Sequence, residues 1–209
     1  MRNIKNIIFD YGNVIFSIDF KLAQKAFAEL GIPNADHFFG HLQQDAIFDA
    51  FERGEITAKQ FRDRLREVTG NENLTDVQID NAWNSMLLGI AEGNHEMLLK
   101  LKGKYRTFLM SNINDIHYGH IMNYLKREFG LDGNDHLFEK VYYSHLVRKR
   151  KPDTAFFQQI LDENNLNPAE TLFIDDSPQH LEGAKKLGIH TYLMTAPDTI
   201  QKFAAKNLI

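Results

Sequence analysis

Two short apolar runs in this chain each end abruptly in an acidic residue, and this feature constrains the fold more than any other. Residues 7–9 precede Asp10, and residues 171–174 precede the acidic pair Asp175 and Asp176. Such uninterrupted apolar runs are typical of strands buried on both faces of a parallel sheet. Because open α/β sheets bind ligands at the carboxyl ends of their strands, we expect the two acidic junctions to meet in one crevice.

Each junction also has a purely structural interpretation. An aspartate after a strand often caps the next helix or shapes the turn, and for either junction taken alone this interpretation is favoured. Three carboxylates in one crevice, however, would form a site for a hard divalent cation and a phosphate. The two junctions together, in the context of the motifs below, therefore indicate chemistry.

The bulk composition excludes several classes of function. The chain has 209 residues, a formal net charge of −4 and no cysteine. Mild acidity argues against a nucleic-acid partner or a membrane partner, and the absence of cysteine excludes disulfides, a thiol nucleophile and a cysteine metal site. The first residues show no secretory pattern and no apolar run approaches the ~20 residues that span a bilayer, so we expect a cytoplasmic protein. The composition does not indicate an oligomeric state.

The region after the first strand has helical periodicity and no clear strand. Helices are predicted around residues 22–30 and 46–51, then from Thr57, whose capping-box pattern opens a helix ended by Gly70, and finally over residues 75–88. We interpret residues 17–88 as a small helical-bundle cap inserted after the first strand. Residues 1–16 and 89–209 would then form the core.

The rest of the chain alternates between helices and strands, which predicts an α/β fold with a parallel Rossmann-like sheet flanked by helices. Strands are predicted at residues 105–110, 140–143, 171–174 and 190–194, and helices at 92–102, 116–129, 154–164 and, framed by Ser177, Pro178 and Gly188, at about 178–187.

Four motifs, in order along the whole chain, resemble those of the haloacid dehalogenase-like (HAD) hydrolase superfamily in its helical-cap subclass. They are Asp10-Tyr11-Gly12-Asn13-Val14, Ser111-Asn112, Lys151-Pro152-Asp153 and Asp175-Asp176. The chain most resembles the bacterial α-D-glucose-1-phosphate phosphatases. That resemblance is carried by Gly12-Asn13, by residues 52–56 in the cap, and by residues 173–176 with 181–184 and 187–189.

The resemblance implies a magnesium-dependent hydrolysis of a small phosphorylated metabolite. Asp10 would be the nucleophile that attacks phosphorus and forms an aspartyl-phosphate. Mg²⁺ would be held by the carboxylates of Asp10 and Asp176 and by the main-chain carbonyl of Gly12, an oxygen-only set that suits this ion. Asp175 would be an outer-sphere carboxylate that orients a metal-bound water.

Further residues are implied in phosphate binding. Ser111 would donate its hydroxyl hydrogen to a phosphoryl oxygen, although taken alone it is equally typical of a helix N-cap or a turn. The backbone amides of Tyr11, Gly12 and Asn112 could line the same anion-binding nest. Lys151 would neutralise Asp10 and the phosphate. Residues 148–150, which complete a basic run with Lys151, are interpreted as a solvated loop.

The chain departs from the usual superfamily pattern at one position. Most phosphatases of the superfamily carry an aspartate two positions after the nucleophile, where it protonates the leaving oxygen and later activates water, and this chain has Gly12 there. General acid–base catalysis is typically worth ~10²–10⁴-fold in rate. Substrates with a good leaving group, such as a sugar phosphate esterified at the anomeric carbon, should therefore be favoured.

Two alternatives stay open. A catalytically weak relative that binds a phospho-ligand or a partner is supported by Gly12, whereas a 2-haloacid dehalogenase needs no metal and fits the acidic pair poorly. Phe16, Ser17 and Asp19 are candidates for contact with the leaving group. Two other features are interpreted structurally, namely Trp83 and Phe48 as cap core, and the pair His117 and His120 as surface or partly packed histidines.

Overall fold

The computed structural model describes residues 3–31 and 46–207. Its centre is a five-stranded sheet in the order β5-β4-β1-β6-β7, in which every neighbouring pair is parallel. The predicted α/β fold is thus confirmed. The strands are β1 (Asn6–Phe9), β2 (Phe16–Ile18), β3 (Leu87–Ile90), β4 (Arg106–Ser111), β5 (Lys140–Tyr143), β6 (Thr171–Asp175) and β7 (His190–Leu193).

Helices connect the strands and form the inserted region. Among the described residues they are α1 (Phe20–Glu29), α2 (Ala46–Glu52), α3 (Ala58–Thr69), α4 (Asp76–Asn84), α5 (Asn94–Lys102), α6 (Asp115–Phe129), α7 (Ser144–Val147), α8 (Thr154–Asn164), α9 (Pro178–Lys185) and α10 (Ile200–Asn207), with short 3₁₀ turns at Asn134–His136 and Pro168–Glu170. Among the described residues, no helix has the length and apolarity needed to cross a membrane.

Both faces of the sheet are buried, which explains why its central strands are continuously apolar. In β1, Ile7 and Phe9 pack into a cluster with side chains of α5, α6 and α10. Ile8 points to the opposite face and packs with side chains of α8 and α9. Successive side chains of a strand point to opposite faces, so an uninterrupted apolar run is what a sheet covered on both sides requires.

The cap has its own aromatic core. Phe27, Phe48, Phe61 and Trp83 are buried together there, and the Phe61 ring centroid lies 5.7 Å from that of Trp83. The structure therefore places Phe48 and Trp83 in the cap core, as expected. The capping box of α3 also forms, because the Thr57 side chain accepts a hydrogen bond from the backbone N–H of its third helical residue.

One part of the cap differs from the prediction. The helix expected over residues 75–88 ends at Asn84, and Leu87 begins β3, which pairs antiparallel with β2. The apolar pattern of residues 86–88 continues that of the helix, so periodicity did not separate them. Gly89 has a φ of 119°, and the hydroxyl of Tyr124 lies 2.7 Å from where its Cβ would be. A glycine is needed at this close approach.

The β2–β3 ribbon lies where the chain enters and leaves the cap. Both predicted boundaries, between residues 16 and 17 and between residues 88 and 89, fall within these two strands. The division into residues 17–88 as cap and 1–16 with 89–209 as core stays a prediction. The ribbon thus pairs the segment that follows β1 with the segment that leads into α5.

Candidate active site

Three carboxylates converge at the carboxyl edge of the sheet. Asp10 follows β1, Asp175 ends β6, and Asp176 comes next, while β1 and β6 are hydrogen-bonded neighbours. One oxygen of each carboxylate lies within 4.8 Å of one oxygen of each of the others. The two acidic junctions thus meet in one crevice, as the sequence predicts, and they are close enough to share one cation.

A buried lysine lies between two of these carboxylates. The Nζ of Lys151 is 2.5 Å from Oδ1 of Asp10 and 2.8 Å from Oδ2 of Asp175, and the lysine side chain is 0% exposed. Asn112 fixes the lysine backbone, since its Oδ1 accepts from the Lys151 N–H at 2.9 Å and its Nδ2 donates to the Lys151 carbonyl at 3.0 Å. This side-chain role of Asn112 was not predicted, because its partner Lys151 lies 39 residues further along the chain.

The charges of this cluster do not balance. Burial, with repulsion from Asp175 and Asp176, raises the pKa of Asp10 to about 8 although Lys151 opposes the shift. Burial also works against ionisation of Asp175, but Lys151 and His180 outweigh it and hold its pKa at about 2. One ammonium group is therefore too little positive charge for three neighbouring carboxylates, and a divalent cation would relieve the deficit.

Asp175 is fully occupied by protein donors. Besides Lys151, the backbone N–H of Ser177 donates to its Oδ1 at 2.8 Å. The Nδ1 of His180 lies 2.9 Å from Oδ1 and 3.0 Å from Oδ2. This arrangement fits a carboxylate that acts beside a metal rather than as its direct ligand. His180 was missed from the sequence, because its position five residues after Asp175 carries no recognisable pattern.

Asn13, a residue of the first motif, orients the Asp176 carboxylate. The Nδ2 of Asn13 donates to Oδ2 of Asp176 at 3.0 Å, while the Oδ1 of Asn13 accepts from the N–H of Ile18 at 3.1 Å. Asn13 itself has a φ of 53°, in the left-handed region that asparagine tolerates better than most residues. Asn13 thus links the β2 strand to the carboxylate expected to bind metal. No other described residue hydrogen-bonds to that carboxylate.

Gly12 leaves space that a neighbouring side chain occupies. A Cβ built on Gly12 would lie 2.7 Å from Cδ1 of Ile18. The end of the Ile18 side chain therefore lies where the side chain of an aspartate at position 12 would begin. Among the described residues, no hydrogen bond ends on the Gly12 carbonyl, which leaves it available as a ligand.

The predicted phosphate-binding residues surround the same crevice. Ser111 is the last residue of β4, is 4% exposed, and lines the pocket together with Asp10, Tyr11, Gly12 and Asn112. The Tyr11 side chain points away into the core, where its hydroxyl donates to Oδ1 of Asn134 at 3.4 Å. Tyr11 can therefore serve a ligand only through its backbone, as predicted.

The pocket has a volume of about 210 Å³ and lies between cap and core. Of the three candidates for contact with the leaving group, only Phe16 lines it, whereas Ser17 and Asp19 do not. Asp19 is instead the N-cap of α1 and accepts from the N–H of Lys21 at 3.0 Å. The prediction for Ser17 and Asp19 is wrong, because β2 turns alternate side chains away from the pocket and the acid is used by the helix start. The apolar wall of the pocket is formed by Phe16, Ile18, Phe20, Trp83, Met86, Leu87, Ile113 and Ile121.

Comparisons with known proteins show the family of this chain. A family model described as "Haloacid dehalogenase-like hydrolase" matches residues 18–194. The chain belongs to this family. The hydrolase is thus an enzyme by family, and the predicted superfamily is confirmed.

Among curated proteins, the hydrolase is 33% identical over 193 residues to a D-ribitol-5-phosphate phosphatase from Bacteroides thetaiotaomicron, covering 90% of this chain and 91% of the relative. A solved structure of a HAD family enzyme from the same organism, a point mutant in complex with magnesium and inorganic phosphate, has a TM-score of 0.89 at 35% identity, covering 96% of this chain and 98% of that one. A predicted HAD-like family hydrolase from Porphyromonas gingivalis has a TM-score of 0.86 at 28% identity, covering 99% and 98%.

The basic run of the hydrolase is only partly the solvated loop that was expected. Arg150 lines the pocket, and its Nε donates to Oε2 of Glu52 at 2.6 Å while its Nη1 lies 3.2 Å from Oδ1 of Asp49. Lys149 donates to Oε1 of Gln159 at 3.0 Å. The prediction is wrong for Arg150, since its partners are about 100 residues away in the cap and a local pattern does not reveal them.

His117 of the hydrolase is a packed histidine rather than a metal ligand. Its ring stacks on Trp83 with a centroid distance of 4.5 Å, and its Nε2 lies 3.2 Å from the Trp83 carbonyl oxygen. Its Nδ1 lies 3.3 Å from Nδ2 of Asn114. Burial lowers the pKa of His117 to about 3, so the ring is neutral near pH 7. Both nitrogens already have partners.

Proposed function

We propose that this hydrolase is a magnesium-dependent phosphatase that removes phosphate from a small phosphorylated sugar or polyol through an aspartyl-phosphate intermediate. The observation that carries the proposal is the contact of Asp10 with Lys151 beside Asp175 and Asp176, at the base of a pocket of about 210 Å³. A relative that is a ribitol-5-phosphate phosphatase, and a similar enzyme crystallised with magnesium and inorganic phosphate, support it.

The residues present fit a magnesium ion. Asp10, Asp176 and the Gly12 carbonyl would supply oxygen ligands, with Asp175 next to them, and the single ammonium group of Lys151 among three carboxylates supports a second cation there. When bound, Mg²⁺ would neutralise phosphate charge and fix the orientation of the ester. Lys151 would add a permanent positive charge at Oδ1 of Asp10.

The protein groups then divide the reaction between them. Oδ1 of Asp10 accepts from Lys151, whereas Oδ2 accepts no hydrogen bond from any described residue and is the oxygen that would attack phosphorus. As the Asp10–phosphorus bond forms, the bond from phosphorus to the ester oxygen breaks, and that oxygen takes a proton from water. Ser111 and the backbone amides of Tyr11, Gly12 and Asn112 would hold the phosphoryl oxygens. Water then hydrolyses the acyl phosphate and regenerates the Asp10 carboxylate.

The missing acid at Gly12 bears on which ester is preferred. Without a positioned proton donor, an anomeric ester such as glucose 1-phosphate leaves more easily than a primary-alcohol ester such as ribitol 5-phosphate. Glucose 1-phosphate is therefore the first candidate substrate, and ribitol 5-phosphate, on which the curated relative acts, is the second.

The decisive experiment is phosphate release from a panel of phosphorylated sugars and polyols with and without Mg²⁺. We expect turnover that requires the metal and is abolished in Asp10→Asn, a variant of the same size. Primary-alcohol esters that turn over as fast as sugar 1-phosphates would contradict the leaving-group argument.

The alternative of a binding protein without turnover rests on Gly12. p-Nitrophenyl phosphate tests it, because nitrophenolate departs without proton assistance, and no hydrolysis with Mg²⁺ would favour binding alone. Chloride release from a 2-haloacid without metal would instead favour a dehalogenase. A cytoplasmic location and the absence of nucleic-acid and membrane partners stay predictions.

A further inference from the structure

The cap contributes one acidic side chain to the pocket. Glu52 is the last residue of α2, its side chain is 13% exposed, and it lines the pocket that contains Asp10. No step described above uses it. A partly buried carboxylate placed in a pocket that must receive a phosphate dianion is unfavourable unless its charge is compensated.

Arg150 provides that compensation and fixes the position of Glu52. Its Nε donates to Oε2 of Glu52 at 2.6 Å, and the same guanidinium lies 3.2 Å from Oδ1 of Asp49 one turn earlier on α2. Arg150 directly precedes Lys151, so the pair joins the cap to the segment that contacts Asp10. Because the pair is neutral overall, it does not repel the phosphate.

The second oxygen of Glu52 is still available. Within the described residues, no donor bonds to its Oε1, although the side chain lines the pocket. An ionised carboxylate can only accept hydrogen bonds. A phosphate dianion has no hydrogen to donate, so a donor for Glu52 has to come from the alcohol part of the ester. A hydroxyl group is the donor that a sugar or polyol offers.

We propose that Glu52, held by Arg150, is a specificity-determining residue that accepts a hydrogen bond from a hydroxyl of the substrate's alcohol part. The inference rests on the proposed phosphatase function and names the cap residue that would recognise the hydroxyl groups of its substrate. A site that hydrogen-bonds a substrate hydroxyl rejects analogues without it, because the acceptor then loses water and gains no partner.

The test compares matched esters that differ only in hydroxyl groups. The ratio of kcat/KM between ribitol 5-phosphate and n-pentyl phosphate is measured with Mg²⁺, and a second ratio is measured between glucose 1-phosphate and 4,6-dideoxyglucose 1-phosphate, which keeps the same anomeric leaving group. We expect the wild type to prefer the hydroxylated member of at least one pair by roughly 10-fold or more, as expected for a lost hydrogen bond to a charged group. In Glu52→Gln and Glu52→Ala this preference should fall at least several-fold.

Two variants separate hydroxyl recognition from cap–core attachment. Asp49→Asn weakens another contact of Arg150 without changing a pocket residue, and Glu55→Gln changes an exposed acid shortly after the end of α2. Both should keep the wild-type ratio. The inference is overturned if the Glu52 variants keep the ratio, if Asp49→Asn lowers it equally, or if the wild type shows no preference in either pair. A wild type that hydrolyses none of the four esters would instead remove the proposed function itself.

Discussion

The ammonium group of Lys151 lies 2.5 Å from Oδ1 of Asp10, and both residues are buried although 141 positions separate them in the chain. The contact joins the first and third motifs and places a fixed charge at the expected nucleophile. A buried ion pair is weak support for stability when intact, but breaking it by removing one partner is costly.

The contribution of this contact to stability can be tested by replacing Lys151 with methionine, in a measurement that does not depend on enzyme activity. Asp10 and Asp175 would lose their shared cation, so that Asp10 would have to take up a proton and Asp175 would keep a buried charge with only Ser177 and His180 beside it. We expect the free energy of unfolding in metal-free buffer to fall by about 3–5 kcal/mol, measured by urea denaturation. Lys149→Met is the matched control, since among the described residues Lys149 donates a hydrogen bond to Gln159 and to no carboxylate, and its effect should stay below about 1 kcal/mol. Equal losses in the two variants would contradict the role of the buried contact.

The Asp176 carboxylate is expected to set the affinity for metal. In Asp176→Asn, one anionic ligand becomes a neutral one, and we expect the Mg²⁺ concentration for half-maximal activity to rise by about 10- to 100-fold or more. This concentration is measured by following p-nitrophenyl phosphate hydrolysis at increasing concentrations of Mg²⁺. Glu182→Gln, an exposed acid on α9, serves as the control. An unchanged requirement for Mg²⁺ would rule out Asp176 as a ligand.

Restoring an acid at Gly12 tests the leaving-group argument. Gly12→Asp should raise kcat on ribitol 5-phosphate, by up to ~10²-fold, because a proton donor would then assist a poor leaving group. The new Cβ would lie 2.7 Å from Cδ1 of Ile18, so the variant is best combined with Ile18→Val, which removes that methyl group. Gly12→Asn with Ile18→Val has the same size and no acidic proton. If the aspartate and asparagine variants behave alike, proton donation is not limiting.

Stability should fall in mild acid because of His117. Its pKa is about 3 in the folded protein against an ordinary value of 6.5. The unfolded chain therefore binds a proton that the folded protein excludes, and stability present above pH 6.5 is lost as the pH falls toward 3. One such group costs about 2 kcal/mol at pH 5.

Urea unfolding at pH 7.5 and pH 5.0 measures this loss. His117→Phe keeps a ring stacked on Trp83 but cannot titrate, so its loss between the two pH values should be smaller than that of the wild type. His120, His145 and His180 are unchanged in both proteins and cancel in the comparison. Identical losses in wild type and variant would show that His117 is not the titrating group.

Much of the core followed from the sequence for simple reasons. The apolar runs before Asp10 and Asp175 mark strands buried on both faces, and strand polarity alone brings their ends to one edge. The capping box at Thr57 is likewise a local signal. These features can be predicted because they depend on residues that are close together in the sequence.

Features that depend on distant contacts were not predictable in this way. The short β2 and β3 strands are defined by each other, and Leu87 continues the pattern of the preceding helix. Arg150 belongs to a basic run, and only the fold shows that Glu52 of the cap is its partner. The proximity of His180 to both oxygens of Asp175 depends on how the helix after β6 is placed. In each case the feature depends on a tertiary contact, which a local sequence pattern does not show.

Trp83 is the single tryptophan of the chain, and it both lines the pocket and stacks on His117. Indole fluorescence responds to the polarity of its surroundings, so the emission spectrum of the unlabelled protein reports on one wall of the pocket alone. Filling of the pocket by a ligand, or a change in cap position, can thus be followed optically in real time, without a chromogenic substrate and without turnover.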